Sequence, residues 1–293
     1  MVSSKHHNKT MNSEKLDEFN SILETLDDIN ESSGVSFHVP SQKKDIKFSP
    51  ITITHQHKLN EIESEAWTAG GSDQLNYIQF CKAYDGILKE TCLEKGFDTD
   101  TLLTIDRIAL ALQHRIQVDK NMDIVTYEND DSITIDLSKI PSAIKKIPST
   151  KLTKKIKHGD IQVTVGFPTL SHDRQVNEAV QKILDLENEN GGTQDEVESV
   201  IEENFADLLL SLLSKHIIEI NVNGKIISID SGTSPDMFIG AIQRLPLSLL
   251  KKVNDSYENY KRMEAEIITV KHSKDGETTE ILLDITTGLF TGI

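Results

Sequence analysis

The chain has 293 residues, a formal charge of −16 at pH 7 and an apolar fraction of 37%. Its length suffices for a sizeable core without covalent staples and, as a prior, for one or two domains. Cys81 and Cys92 are the only cysteines, which excludes a disulfide scaffold and a four-cysteine zinc site. The acidic balance argues against broad nucleic-acid binding, because neutralising phosphates requires clustered lysine and arginine.

The sequence carries no signal for membrane insertion or secretion. Its longest apolar run, residues 208–213, is interrupted by Ser211 and is far too short to span a bilayer. The first twelve residues are polar and lack the hydrophobic core of a signal peptide. We therefore expect a soluble protein that is made and kept in a reducing cytoplasm.

The first predicted element is an amphipathic helix, α1, over residues 13–30, followed by a loose linker over residues 31–34. Apolar side chains recur on one face at a spacing of three or four residues, while the opposite face is acidic. This α1 stripe consists of Leu16, Phe19, Leu23, Leu26 and Ile29. Two interpretations stay open: the stripe packs on its own domain, or it docks on a partner. Under the second interpretation, Leu16, Phe19, Leu23 and Leu26 are candidate partner-binding residues.

A β-hairpin and three helices are predicted next. Alternating apolar and polar residues indicate the hairpin over residues 35–48. Thr54 is predicted to cap a helix that begins near His55, and Gly96 is predicted to stop the second helix. The second and third helices are predicted over residues 73–95 and 98–118.

The rest of the chain alternates short hairpins with helices. Asn223-Gly224 between two apolar runs is the strongest hairpin signal, and Pro235 and Pro246 mark helix starts. The predicted strands lie in residues 122–137, 152–156, 161–165, 218–222, 225–229, 267–271 and 281–285. The predicted helices cover residues 171–189, 194–214, 235–244 and a stretch that begins at 246.

This pattern predicts an α+β fold, in which helical bundle elements mix with short antiparallel β-hairpins behind an N-terminal helical arm. We predict three parts. They are a start and arm helix over residues 1–34, an N-terminal α+β domain over residues 35–190, and a C-terminal α+β domain over residues 191–293.

No catalytic, cofactor-binding or metal-ligating residue is predicted. The sequence contains no phosphate-binding loop, dinucleotide fingerprint or nucleophile elbow. His55 and His57 lie two residues apart, so on a helix they point in nearly opposite directions. Cys81 and Cys92 fall on the apolar face of a predicted helix, where cysteine behaves as a small hydrophobe. We therefore expect no enzyme, no cofactor and no metal.

Three charge features stand out. Residues 139–157 contain seven lysines and no acid, whereas residues 185–207 contain nine acids and no lysine or arginine. These blocks either pair between subunits, with Lys145, Lys146, Lys154 and Lys155 as candidate partner-binding residues, or both are solvated surface. Asp106 and Arg107 are adjacent inside an apolar helix. They point about 100° apart, so each is expected to reach a neighbouring element rather than the other.

Three segments, in their order along the chain, resemble the baseplate hub assembly proteins of contractile-tailed phages of the T-even type. The first runs from Phe37-His-Val-Pro-Ser41 through residues 45–54 into the next helix. The second is the helix pair of residues 73–94 and 103–112, which carries Asp106-Arg107. The third begins at Phe238-Ile-Gly-Ala-Ile-Gln-Arg-Leu-Pro246 and closes with a terminal hairpin ending in Leu289-Phe290. The resemblance covers most of the chain from about Val35.

The resemblance implies a non-enzymatic role in virion assembly, as a structural subunit or assembly factor of the baseplate hub. The expected location is the cytoplasm of the infected bacterium during assembly, and then the virion. The expected partners are other baseplate or tail proteins, or copies of the same chain, with no nucleic acid and no membrane. One alternative is an assembly chaperone that is absent from the mature virion. Another is an unrecognised cytoplasmic hydrolase, which would need a deep pocket lined by carboxylates or a Cys–His pair.

Overall fold

The fold is α+β, as the sequence predicted. The computed structural model describes residues 13–69, 73–125, 132–149, 152–189, 210, 213–274 and 277–290. The helices are α1 (Ser13–Ser32), α2 (Ile53–Ala69), α3 (Asp73–Thr91), α4 (Thr104–Val118), α5 (Ile140–Ile144), α6 (Leu170–Glu189), α7 (Pro235–Ile242) and α8 (Leu247–Ile268). The strands are β1 (Val35–Val39), β2 (Lys44–Phe48), β3 (Asn121–Val125), β4 (Ser132–Asp136), β5 (Thr153–His158), β6 (Ile161–Gly166), β7 (Ile217–Val222), β8 (Lys225–Ile227), β9 (Thr269–Lys274) and β10 (Glu277–Leu282).

The largest sheet of the described residues has four antiparallel strands in the order β5-β6-β7-β8. The remaining strands form two-stranded hairpins, β1-β2, β3-β4 and β9-β10. Asn223 and Gly224 both have positive φ between β7 and β8, which confirms the hairpin that the Asn-Gly pair predicted. Strands β6 and β7 are neighbours, so residues on either side of position 190 share backbone hydrogen bonds within one sheet.

Two helix ends differ from the prediction, and at α3 the reason is a set of hydrogen bonds to a distant strand. Helix α3 ends at Thr91 instead of residue 95. The Thr91 carbonyl accepts from the Ser49 N–H, and the Leu93 N–H donates to the Lys47 carbonyl, which draws the chain alongside β2. Helix α2 begins at Ile53, so Thr54 lies inside the helix and is not its cap.

Two further predicted helices have different bounds in the structure. Residues 98–118 hold two elements, because a 3₁₀ turn at Thr99–Thr101, capped by the Asp98 side chain, precedes α4. Helix α1 continues through Ser32, which leaves a linker of only Ser33 and Gly34 where a longer one was predicted. The helix predicted over residues 194–214 lies mostly outside the described residues. No helix among the described residues combines the length and apolarity that crossing a bilayer requires.

An aromatic cluster in the core brings Phe290 together with residues of the first hairpin and of helices α3 and α4. The Tyr84 hydroxyl and His114 Nδ1 lie 2.6 Å apart, and the Phe37 ring meets the His114 ring edge-on at 4.6 Å between centroids. The Phe290 ring stacks on Tyr84 at 5.9 Å. The last 3₁₀ turn, Thr287–Phe290, thus packs on the helices that follow the first hairpin.

Burial keeps His114 neutral within this cluster. Loss of solvation lowers the pKa of His114 to about 3, and in the same way it lowers the pKa of His216 to about 4. Histidine in an unfolded chain titrates near 6.5. Between about pH 6.5 and these lower values the unfolded state therefore binds more protons than the folded state. The stability that the neutral histidines contribute is complete above about pH 6.5 and is lost as the pH falls towards 4.

We predict that His114→Phe flattens the pH dependence of stability. Urea unfolding between pH 7 and pH 4.5 should give a free energy that falls less steeply in the variant, by up to about 1.4 kcal/mol per pH unit, the linkage of one proton. At pH 7 the variant should be less stable, because the Tyr84 hydroxyl loses its partner. Glu264, whose pKa burial raises to about 7, works in the opposite direction but is common to both proteins.

The matched control is His158→Phe, at the exposed last residue of β5. This variant should leave the slope of the wild type unchanged. Parallel curves for His114→Phe and the wild type would show that His114 does not carry the acid sensitivity.

Candidate functional site

Arg107 is buried at the junction of three helices. Its Nε and Nη2 donate to the two carboxylate oxygens of Asp85 on α3, at 2.7 and 2.9 Å. Its Nη1 donates to Asp173 Oδ2 on α6, at 2.8 Å. Arg107 thus reaches neighbouring elements, as the sequence predicted.

Asp106 turns away from Arg107 and makes a different set of contacts. Its carboxylate accepts the backbone N–H of Leu103 at 2.8 Å, at the start of α4. It also accepts the backbone N–H of Ser41 at 2.9 Å, in the turn of the first hairpin. Asp106 therefore caps α4 and fixes the hairpin against it, which confirms that the two adjacent charges serve separate neighbours.

The charges around Arg107 are balanced. Burial alone would raise the pKa of Asp173, but the cations Arg107 and Lys215 outweigh it and leave that pKa lowered. Lys215 Nζ lies 3.9 Å from Asp173 Oδ1. Arg174 Nη2 contacts Asp100 Oδ1 at 2.6 Å on the outer side of the cluster. Charges that are already paired in this way are not free for chemistry.

A polar cavity of about 210 Å³ lies beside this cluster. Its lining includes Tyr77, Asp173, Lys215, His216 and Glu264. Burial, together with the nearby charge of Asp173, raises the pKa of Glu264 to about 7, so this carboxyl can exchange a proton at neutral pH. The other groups are engaged: Asp173 holds Arg107, and His216 Nδ1 lies 3.3 Å from the Gly166 carbonyl oxygen.

The Cys81 thiol is buried and is not activated. Burial raises the pKa of the Cys81 thiol to about 12, so it is protonated at neutral pH and is a poor nucleophile. Among the described residues, no group of three or more histidine, cysteine or acidic side chains is placed to hold a metal ion.

The α1 stripe is uncovered in the structure. Phe19 is 52% exposed, Leu23 43% and Leu26 50%, and the stripe also includes Ile22, which was not among the predicted residues. The side chain of Leu16 lies outside the described residues. Apolar side chains that recur along one helix and stay half exposed form a surface that a partner can cover.

The four candidate lysines are exposed, but they do not share one site. Lys145 and Lys146 follow α5, and Lys154 and Lys155 lie on β5, at the edge of the four-stranded sheet. Lys146 and Lys154 line a groove of about 700 Å³ between this edge and α8, whereas Lys145 and Lys155 do not.

The alternation of side chains along β5 explains this division. Lys154 lies two residues from the buried Ile156 and therefore on the same face of the strand. Its amine donates to Ser256 Oγ on α8 at 3.3 Å. Lys155 points to the opposite face, where a charge on an edge strand discourages pairing with another sheet.

Arg262 on α8 is the third cation of this surface, which we call the basic groove and define by Lys146, Lys154 and Arg262. Sequence reasoning missed Arg262, since nothing in the local pattern of α8 links it to lysines more than a hundred residues earlier. Glu266 is the only acid among the described residues of the lining, and Ile147, Met263 and Ile267 give the groove apolar walls.

The acid-only stretch of residues 185–207 lies mostly outside the described residues. Residues 185–189 belong to the end of α6, and the structure describes only their backbone. Pairing between this stretch and the lysines therefore stays a prediction.

The chain matches no protein-family model, no curated protein sequence and no solved structure.

We predict that Arg107→Leu destabilises the protein by about 3–5 kcal/mol, because it leaves Asp85 and Asp173 buried without their cation. Arg107→Lys should fall between this variant and the wild type, since a lysine keeps the charge but cannot pair with Asp85 through two nitrogens. Guanidinium unfolding at pH 7 measures both.

The control is Lys251→Leu, which removes an exposed cation from α8 and should change the free energy of unfolding by no more than about 0.5 kcal/mol. An Arg107→Leu variant as stable as Lys251→Leu would mean that the cluster does not hold the helices together.

Proposed function

We propose that this chain is a non-enzymatic phage tail protein, a structural subunit or assembly factor of the baseplate hub. The observation that carries the proposal is the uncovered α1 stripe. A helix that presents Phe19, Leu23 and Leu26 to solvent is suited to lie in a groove of another subunit. Assembly proteins work through such surfaces, in the cytoplasm of the infected bacterium and then in the virion.

The segments that resemble the hub assembly proteins support the proposal through their places in the fold. The first forms hairpin β1-β2 and leads into α2. The second forms the α3–α4 pair, whose Asp106 and Arg107 organise the core. The third forms α7 and α8 and ends at Phe290 in the aromatic cluster. The resemblance therefore falls on residues that determine the fold.

The two alternatives differ in what supports them. A chaperone that leaves before the virion is complete would use the same α1 stripe, so only its presence in particles separates it from a subunit. The hydrolase alternative has the polar cavity at Glu264 in its favour. Against it, the Asp173 carboxylate in that cavity is held by Arg107.

Mass spectrometry tests the proposal at two stages. The tagged chain is expressed in bacteria that are producing the contractile tail, and the proteins it captures are identified. Purified baseplates and virions are analysed in parallel. Tail proteins in the capture, with the chain at a fixed ratio in baseplates, support a subunit, and capture without presence in particles supports an assembly factor. Capture of no tail protein, together with absence from particles, overturns the proposal.

We predict that Phe19→Asp combined with Leu23→Asp reduces capture of tail proteins at least about tenfold and leaves the chain folded. Burying two carboxylates in an interface is costly, whereas on an exposed stripe they cost little. Circular dichroism and thermal unfolding of the purified variant check its folding.

Asn20→Asp combined with Ser21→Asp is the matched control, because it adds the same charge to α1 on positions outside the stripe. It should capture tail proteins like the wild type. A Phe19→Asp, Leu23→Asp variant that fails to fold alone would show that the stripe packs on its own domain and would contradict the docking role.

A further inference from the structure

The basic groove and helix α1 are complementary surfaces carried by one chain. We propose that the basic groove binds α1 of a second copy of this chain. The inference rests on the part of the proposed function that makes α1 a docking helix, and it names the surface on which α1 docks.

The charges of the two surfaces are opposite. The basic groove presents Lys146, Lys154 and Arg262 and lines its walls with one acid, Glu266, among the described residues. Helix α1 carries seven acids and one lysine over its 20 residues. At helical spacing most of these acids face away from the α1 stripe, whereas Asp27 and Glu31 lie along one of its edges, where they reach the rim of a groove that holds the stripe. None of the three cations forms an ion pair within the described part of the chain, so their charge is available to a partner. Such complementarity speeds encounter and selects the partner.

The apolar parts of the two surfaces also correspond. Ile147, Met263 and Ile267 contribute apolar walls to a groove of about 700 Å³ that is open to solvent. The α1 stripe offers side chains of similar character at a spacing of three or four residues. An amphipathic helix laid in an apolar groove with a charged rim is a recurrent mode of recognition. The volume of the groove accommodates several of these side chains.

A second copy is the occupant because the chain's own α1 leaves the groove open. Only Ser33 and Gly34 separate α1 from β1. The Ser33 N–H donates to the Ile29 carbonyl at 3.0 Å, which ties the linker to the end of the helix. Gly34 is packed so tightly that a Cβ there would lie 2.5 Å from Leu93 Cδ1. The α1 stripe and the groove thus both stay uncovered within one chain.

The mass of the purified full-length chain, measured by light scattering and sedimentation from about 1 to 200 µM, is the first readout. We expect the mass to rise from that of a monomer to that of a dimer or larger closed assembly, and to fall back as salt is raised, because salt screens the charges. Lys146→Glu combined with Arg262→Glu, the groove variant, should weaken association about tenfold or more. Asp27→Lys combined with Glu31→Lys, the helix variant, should do the same, because both acids lie at the edge of the α1 stripe.

Lys145→Glu combined with Lys155→Glu is the matched control. It makes the same change of charge on exposed lysines of the same run that lie outside the groove. We expect it to associate like the wild type. Circular dichroism confirms that each variant is folded before its mass is interpreted.

Mixing the groove variant with the helix variant tests docking between copies directly. In the mixture, the lysines of the helix variant meet the glutamates of the groove variant, and the two unaltered surfaces meet each other. Association should therefore recover towards the wild type, although each variant alone is weak.

Three outcomes overturn the inference. They are a chain that stays monomeric over the whole range, a groove variant that associates as well as the control, and a mixture that shows no recovery. A monomeric chain that still captures tail proteins would refute the contact between copies and leave the proposed function intact. A chain that associates but captures no tail protein would do the reverse.

Discussion

The fold depends on one guanidinium placed between two carboxylates. Arg107 draws together α3, α4 and α6, because leaving any member of the cluster unpaired in the core would cost several kcal/mol. Lys215 extends the cluster towards β7 through Asp173, so the same charges connect the helices with the four-stranded sheet. A buried ion pair seldom adds much stability over an apolar core of the same shape. Its contribution here is to fix where the three helices meet, since Arg107 contacts acids on both neighbouring helices.

This fixed arrangement determines what the surface can do. The sheet that the cluster positions carries β5 at its edge, and α8 packs across that edge through Lys154 and Ser256. The walls of the basic groove are therefore parts of the core scaffold. Helix α1, by contrast, is joined to the first hairpin by only two residues, and its apolar side is exposed. The chain thus combines a groove built on the core with an uncovered helix.

Local patterns predicted the kinds of element, but tertiary contacts set their ends and the charge pairs. The hairpin at Asn223-Gly224 followed from a signal two residues long, and Gly159 likewise has a positive φ in the turn between β5 and β6. The end of α3 at Thr91 was missed, because the hydrogen bond that sets it comes from Ser49, more than forty residues away. Asp85 and Asp173 escaped notice among 47 acids, since nothing local marks an acid that will face Arg107.

The lysines of residues 139–157 could have been divided further from the sequence alone. By charge alone, the candidate lysines form one block: Lys145, Lys146, Lys154 and Lys155. Because successive side chains of a strand point to opposite faces, Lys154 and Lys155 on β5 must lie on different faces. Ile156 identifies the buried face of β5, so Lys154 belongs with the core side and Lys155 with the solvent side. The same lysine-rich stretch therefore serves two physical purposes. On one face it protects a sheet edge from unwanted pairing, and on the other it supplies cations to a groove that α8 completes with Arg262.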